Sequence, residues 1–231
     1  MVISISSLKG GVGKSTISQN LTVCFAHQGY DVCIADADTN QSCLRWSSYR
    51  DNDLPPIPVS GLPDGKILSK NVRLLEESHE IVIIDGTPSL SPIASKIIIL
   101  ADVLIIPILP GAMDLWATEK FLERYNDAVL LKEDAIPAFF LLNQYQERLV
   151  INKESKEILD QASIRLLDTK IGNRVAYKEA NVNGKGVYEY DHEKSRTEII
   201  TLTNELITII TTLDQYKTSN GIHVKDIQPI S

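Results

Sequence analysis

Eight residues near the N-terminus, Lys9-Gly10-Gly11-Val12-Gly13-Lys14-Ser15-Thr16, constrain this chain more than any other stretch. They follow a short apolar run, Val2-Ile3-Ser4-Ile5. They open a segment in which Ile17, Leu21, Cys24 and Phe25 recur at helical spacing. Strand, glycine-rich turn and helix, in that order, form a cradle for phosphate. Glycines let backbone N–H groups converge without Cβ obstruction, and the helix N-terminus adds partial positive charge. Within the cradle Lys14 supplies a point charge for β- and γ-phosphates. The Ser15 hydroxyl can ligate Mg2+, and Thr16 lies on the α-phosphate side.

Further apolar runs are Val32-Cys33-Ile34-Ala35, Ile81-Val82-Ile83-Ile84, Val103-Leu104-Ile105-Ile106 and Ala138-Phe139-Phe140-Leu141-Leu142. Continuous rather than alternating runs indicate strands covered on both faces. Helical patterns lie between them; Gly29 can end the first helix, and Ile199, Leu202, Leu206, Ile209, Ile210 and Leu213 mark a late packed helix. The expected fold is α/β: a doubly wound, mostly parallel sheet with helices on both faces. Residues 51–65, rich in Pro, Asp and Gly, read as a loop. Residues 1–213 read as one domain and 214–231 as a loosely held tail. With a strand expected from residue 2, no DNA-reading module is expected ahead of it.

Composition narrows the class. The 231 residues are 43% hydrophobic, enough to build a core, and the net charge of −7 argues against a wholesale basic nucleic-acid binder. Cys24, Cys33 and Cys43 form no C-x-x-C pair, and their odd count suits a reducing cytoplasm rather than a disulfide framework. No secretory signal or bilayer-spanning run is visible.

Asp36 and Asp38 end the second apolar run on the same side of an expected strand. Strand C-termini line the ligand crevice of an open parallel sheet. Two carboxylates there can hold Mg2+ through water and orient an attacking water; helix-cap or turn roles are the alternative. Asp85 ends the run Ile81–Ile84, where an acid holds Mg2+ through water in phosphate-loop proteins. Asp85-Gly86 is equally a turn dipeptide.

The general pattern G-x-x-x-x-G-K-[ST] would place a first glycine at residue 8, which is Leu8; an additional lysine, Lys9, follows. KGGVGKST resembles the deviant Walker A motif of the ParA/MinD family of P-loop ATPases. The resemblance implies ATP and Mg2+ as cofactors, slow partner-stimulated ATP hydrolysis and a homodimer in the ATP state. Lys9 would reach the partner's phosphates, whereas an isolated loop lysine would simply be solvated. The implied catalytic set is Lys9, Lys14 and Asp38. DADTNQS resembles the family's Walker A′ segment, with Thr39 for its usual Pro and Asn40 for its usual Gln. It implies Asp38 as the residue that positions the hydrolytic water and Asp36 as a neighbour of the metal shell. IVIIDGTPSLS resembles Walker B, with Asp85 as its acid. ADVLIIPILPGAMDLWAT, with Pro107, Pro110 and Asp114, resembles a dimer-face segment. Asn143 matches a position that contacts adenine, though a strand-end Asn is also an ordinary turn residue. Gly172-Asn173-Arg174 resembles a late loop that closes over the base.

The partition branch of the family implies non-specific DNA as a partner, nucleoid association in the ATP state and a small centromere-binding adaptor. Between Arg148 and Arg196 basic residues exceed acidic ones by two, which reads as a DNA face or as a mixed-charge surface. The alternative is positioning of a non-DNA protein cargo or a membrane-associated complex. Gly221 and Pro229 interrupt the terminal segment, so no stable membrane association is expected. Iron-protein reductases of similar fold use cysteines beyond Walker B, and none follows Cys43.

Overall fold

The apolar runs become strands because both of their faces are covered. In β1 (Val2–Ile5), β2 (Val32–Asp36), β4 (Ile81–Asp85) and β5 (Val103–Ile108) every residue is buried. The computed structural model describes residues 1–88, 92–110, 115–132, 134–146 and 164–219. The remaining strands are β3 (Val59–Gly61), β6 (Ala138–Tyr145) and β7 (Arg165–Gly172). All neighbouring pairs are parallel, in the order β3-β2-β4-β1-β5-β6-β7. The direction of winding therefore reverses at β1, and the crevice opens beyond its C-terminal end.

The helices are α1 (Lys14–His27), α2 (Ser42–Ser47), α3 (Gly65–Ser78), α4 (Pro92–Leu100), α5 (Leu115–Lys132), α6 (Val175–Val182) and α7 (Glu193–Ser219). On one face Ile17, Leu21 and Phe25 of α1 and Ile199, Leu202, Leu206 and Ile210 of α7 pack against Ile3, Ile5 and Ile83. On the other face, Leu68 and Val72 of α3 and Ile97 of α4 meet Val2, Val82 and Ile84. Phe121 and Ala128 of α5 cover Leu104, Ile106 and Phe140. Each large side chain so buried contributes about 1.5–3 kcal/mol. Gly29 ends α1 at φ +91°, a left-handed conformation in which its N–H reaches the Ala26 carbonyl at 3.1 Å.

The structure revises several sequence expectations. Residues 51–65 hold β3 and the start of α3, because a three-residue strand beside prolines carries no periodic signal. β7 also escaped notice: Arg165, Asp168 and Lys170 are exposed on this edge strand, so its pattern alternates. The final helix continues through Ser219, past the expected boundary at residue 213.

β7 carries an irregularity that fixes α7 upon it. Leu166 and Lys170 face Phe140 and Leu142, so the intervening β7 residues bulge out of register. The N–H groups of Asp168 and Thr169 in that bulge donate to Glu205 of α7, at 2.8 and 3.0 Å.

Candidate functional site

The glycine-rich loop connects buried β1 to α1 as the sequence requires. Gly11 and Gly13 have φ of +74° and +90°, values that L side chains rarely adopt. Lys14 opens α1 and is buried; its Nζ donates to the Lys9 carbonyl across the loop at 3.0 Å. Burial lowers the Lys14 pKa from its ordinary value, opposed by the charges of Asp85 and Asp38. An ammonium held in this way is available to phosphate charge without first being stripped of water. Ser15 and Thr16 follow in the first turn of α1, and Gly10 and Gly11 are exposed at the loop's crest. Lys9 is partly exposed, and its backbone N–H donates to Ser7 Oγ at 3.3 Å.

Parallel pairing sets Asp36 of β2 directly beside Asp85 of β4, and Ile5 of β1 beside Asp85. Asp85 is fully buried. Ser15 hydrogen-bonds to it, and the Ser18 hydroxyl lies 3.1 Å from its Oδ1. The Cys43 thiol donates to Asp85 Oδ2 at 3.2 Å. Burial is the main cause that pushes the Asp85 carboxyl up to about 6, with Asp36 adding to it and these donors opposing. Gly86 follows because a Cβ there would fall 2.6 Å from the Ile5 carbonyl oxygen.

Asp36 and Asp38 divide their work. Asp36 is fully buried and accepts the N–H groups of Cys43 and Leu44 at 2.8 and 3.0 Å, and that of Asp38 at 3.2 Å. It anchors the turn leading into α2, and burial raises its pKa despite these bonds. Asp38 retains 7% exposure at the crevice, with Oδ1 accepting the Asn40 N–H at 2.9 Å. Behind this turn, α2 is braced by Trp46 Nε1 donating to the Lys185 carbonyl and by the Arg50–Glu189 ion pair at 2.6 Å.

On the opposite side of β1, a second register shift between Leu142 and Tyr145 turns the end of β6 toward the loop. The Asn143 amide donates to the Val12 carbonyl at 2.7 Å and lies against Gly13, where a Cβ would collide with it. Gln144, at φ +53°, donates to the Gly11 carbonyl at 2.9 Å. Asn143 thus grips the phosphate loop. Arg174 sits at the N-terminus of α6 with its guanidinium on Glu198.

The structure therefore brings Lys14, Ser15, Asp36, Asp38 and Asp85 together, with Asn143 behind the loop. Sequence reasoning missed Cys43, Gln144 and Glu198, which carry no motif. Oxygen donors from Ser15 and Asp85 suit a hard divalent cation. Asp36, Cys43 and Asp85 also present ligand atoms within 4.8 Å of one another. Asp114, Arg148, Lys153 and Lys156 lie outside the described residues.

A parallel sheet reversing at a glycine-rich loop, with a buried lysine and a strand-end acid, defines a P-loop nucleotide-binding protein. The family model "CobQ/CobB/MinD/ParA nucleotide binding domain" matches residues 3–187, and the chain belongs to that family. It is 28% identical over 209 residues to the Maintenance of carboxysome distribution protein A of Halothiobacillus neapolitanus, covering 89% of this chain and 95% of that one. A Cyanothece McdA variant in complex with ATP superposes with a TM-score of 0.67 at 18% identity, covering 98% of each chain. The septum site-determining protein MinD of Pyrococcus horikoshii, complexed with Mg-ADP, gives 0.66 at 20% identity over 89% of this chain and 95% of that one.

Proposed function

We propose that the chain is an ATP-driven switch. Two copies pair around ATP and Mg2+, hydrolyse the ATP slowly, and use the paired state to position a cargo. The observation that carries this reading is the convergence of Lys14, Ser15, Asp38 and Asp85 on one crevice. Lys14 neutralises the β- and γ-phosphates, and the loop's N–H groups hold their oxygens. Ser15 and Asp85 would hold Mg2+, which supplies charge neutralisation to the phosphates. Asp38 has the exposure that Asp36 and Asp85 lack, so it is placed to orient an attacking water. Lys9, partly exposed in the loop, would reach the partner copy's nucleotide. Losing the γ-phosphate removes what both lysines share, and the pair separates. A partner protein that completes the site would accelerate the cycle.

For the cargo, the reading taken first is DNA partition. The paired state binds DNA non-specifically at the nucleoid, and a small centromere-binding adaptor supplies the link. A protein cargo is the second reading, favoured by similarity to a carboxysome distribution protein along nearly the full length of both chains. Among the described residues no helix is long and apolar enough to cross a membrane.

Light scattering and DNA retardation with ATP, ADP and a non-hydrolysable ATP analogue test the switch. Mg2+ with ATP or the analogue is expected to double the mass and produce salt-sensitive DNA binding, whereas ADP does neither. Binding that ignores the nucleotide would overturn the reading. Retained pairing without DNA binding would leave the protein-cargo version standing.

A further inference from the structure

The acids Asp36 and Asp85 stand on β2 and β4, which lie to one side of β1 in the sheet. On the nucleotide-switch reading, a terminal phosphate at these acids leaves the base to the other side of β1, beyond the ends of β5, β6 and β7. There Asn143 and Gln144 hold Val12 and Gly11. The segment Gly172-Asn173-Arg174 closes the row: Gly172 pairs with Tyr145, and the Asn173 N–H donates to the Tyr145 carbonyl at 2.9 Å.

A single carboxylate organises that segment. Glu198 Oε1 accepts Arg174 Nε and an η-nitrogen at 2.9 and 2.6 Å. Its Oε2 accepts the Gly172 N–H at 3.2 Å and the Tyr177 hydroxyl at 3.0 Å. Gly172 permits the approach, since a Cβ there would lie 2.9 Å from Glu198 Oε1. Glu198 is 17% exposed at its side chain, so these bonds are shielded from competing water.

We propose that Glu198 is a positioning residue for base recognition, holding Gly172-Asn173-Arg174 as the wall against which the base of a purine nucleotide rests. The inference rests on the nucleotide-switch reading above. Arg174 acts through this clamp, and Asn173 is the exposed side chain that the clamp presents at the loop tip. Because Tyr145 follows Gln144, the wall and the phosphate loop are fixed by adjacent residues of one strand end.

Titration calorimetry with Mg-ATP and Mg-tripolyphosphate, which carries phosphates but no base, separates positioning from general stability. Glu198→Gln is expected to weaken ATP about tenfold and tripolyphosphate less than about twofold, the scale of losing one charged hydrogen-bond acceptor. Glu205→Gln is the control: it removes bonds from the same helix to β7 away from the crevice, and should lower the melting temperature while sparing both affinities. Tyr177→Phe, a milder change that keeps the carboxylate, should weaken ATP alone by about threefold. Equal losses for both ligands, unchanged ATP binding, or the same selective loss in Glu205→Gln would overturn the inference. Wild-type protein that binds tripolyphosphate as tightly as ATP would overturn it while leaving the phosphate site intact. Wild-type protein that binds neither would overturn the switch reading itself.

Discussion

The crevice has two unlike halves, divided by β1. Toward β2 and β4 the groups gathered at the ligand site are charged: Asp38 and Asp85, with Lys14 among them, above Asp36, which anchors the turn into α2. Toward β6 and β7 the polar side chains are engaged in holding backbone: Asn143 on Val12, Gln144 on Gly11, and Glu198 on Gly172. The first half is suited to manage charge that changes during a reaction. The second is suited to hold a shape that stays constant while the charge changes. Substitutions in the two halves should therefore fail in different ways.

The largest effect is expected at Asp38. Asp38→Ala should retain nucleotide binding and pairing yet slow turnover by about 100- to 10,000-fold, the usual range for loss of a general base. Phosphate-release kinetics check this, and unaltered turnover would remove Asp38 from its role. Lys14→Ala should weaken nucleotide binding by about 100-fold, near 3 kcal/mol, because it removes the point charge that meets the β- and γ-phosphates. Fluorescent-nucleotide titration reads that loss.

Asp85 links the charged half to pH. Its folded-state carboxyl, raised from 3.8 to about 6, binds its proton more tightly than the unfolded chain does. Stability of the ligand-free protein should therefore decline as pH rises from about 4 through about 6, as ionisation of the buried group becomes costly. Asp85→Asn should raise stability by about 2–3 kcal/mol above pH 7, with the gain vanishing near pH 4. Denaturant melts at several pH values check the sign. Wild-type Mg2+-dependent nucleotide binding should weaken below about pH 6, where the acid is protonated.

The smallest effects belong to the holding half. Asn143→Ala should cost about 1–3 kcal/mol by leaving the buried Val12 carbonyl without its donor. Gln144→Ala, at a more exposed bond, should cost about 1 kcal/mol or less. Thermal melts with and without nucleotide read both. If either variant instead abolished hydrolysis while leaving binding intact, the division between the halves would be wrong.

The same division explains what the sequence could reveal. Lys14, Ser15, Asp38 and Asp85 stand at fixed spacings from glycines and apolar strands, because charge must meet phosphate at set distances. The buried strands were legible for a similar reason: two-sided burial demands unbroken Val and Ile. β7 and β3 were not, since an exposed edge and a three-residue strand place no such demand on composition. Glu198 was invisible because Arg174, Tyr177 and the Gly172 N–H meet it only once α7 lies on the end of β7, and Glu205 because its partners are backbone N–H groups on a strand far away in the chain. Any residue supplies those groups, so no motif records them. Cys43 went unmarked as well: its thiol meets Asp85 only after β2 and β4 come into register.

A last consequence follows from the seat of α7 on β7. The outermost strand of a sheet is an open invitation for another molecule to zip along it. Here the N–H groups released by the bulge are already occupied by an acid of the same chain. Growth into ribbons is discouraged at this margin, which suits the reversible pairing proposed for this chain.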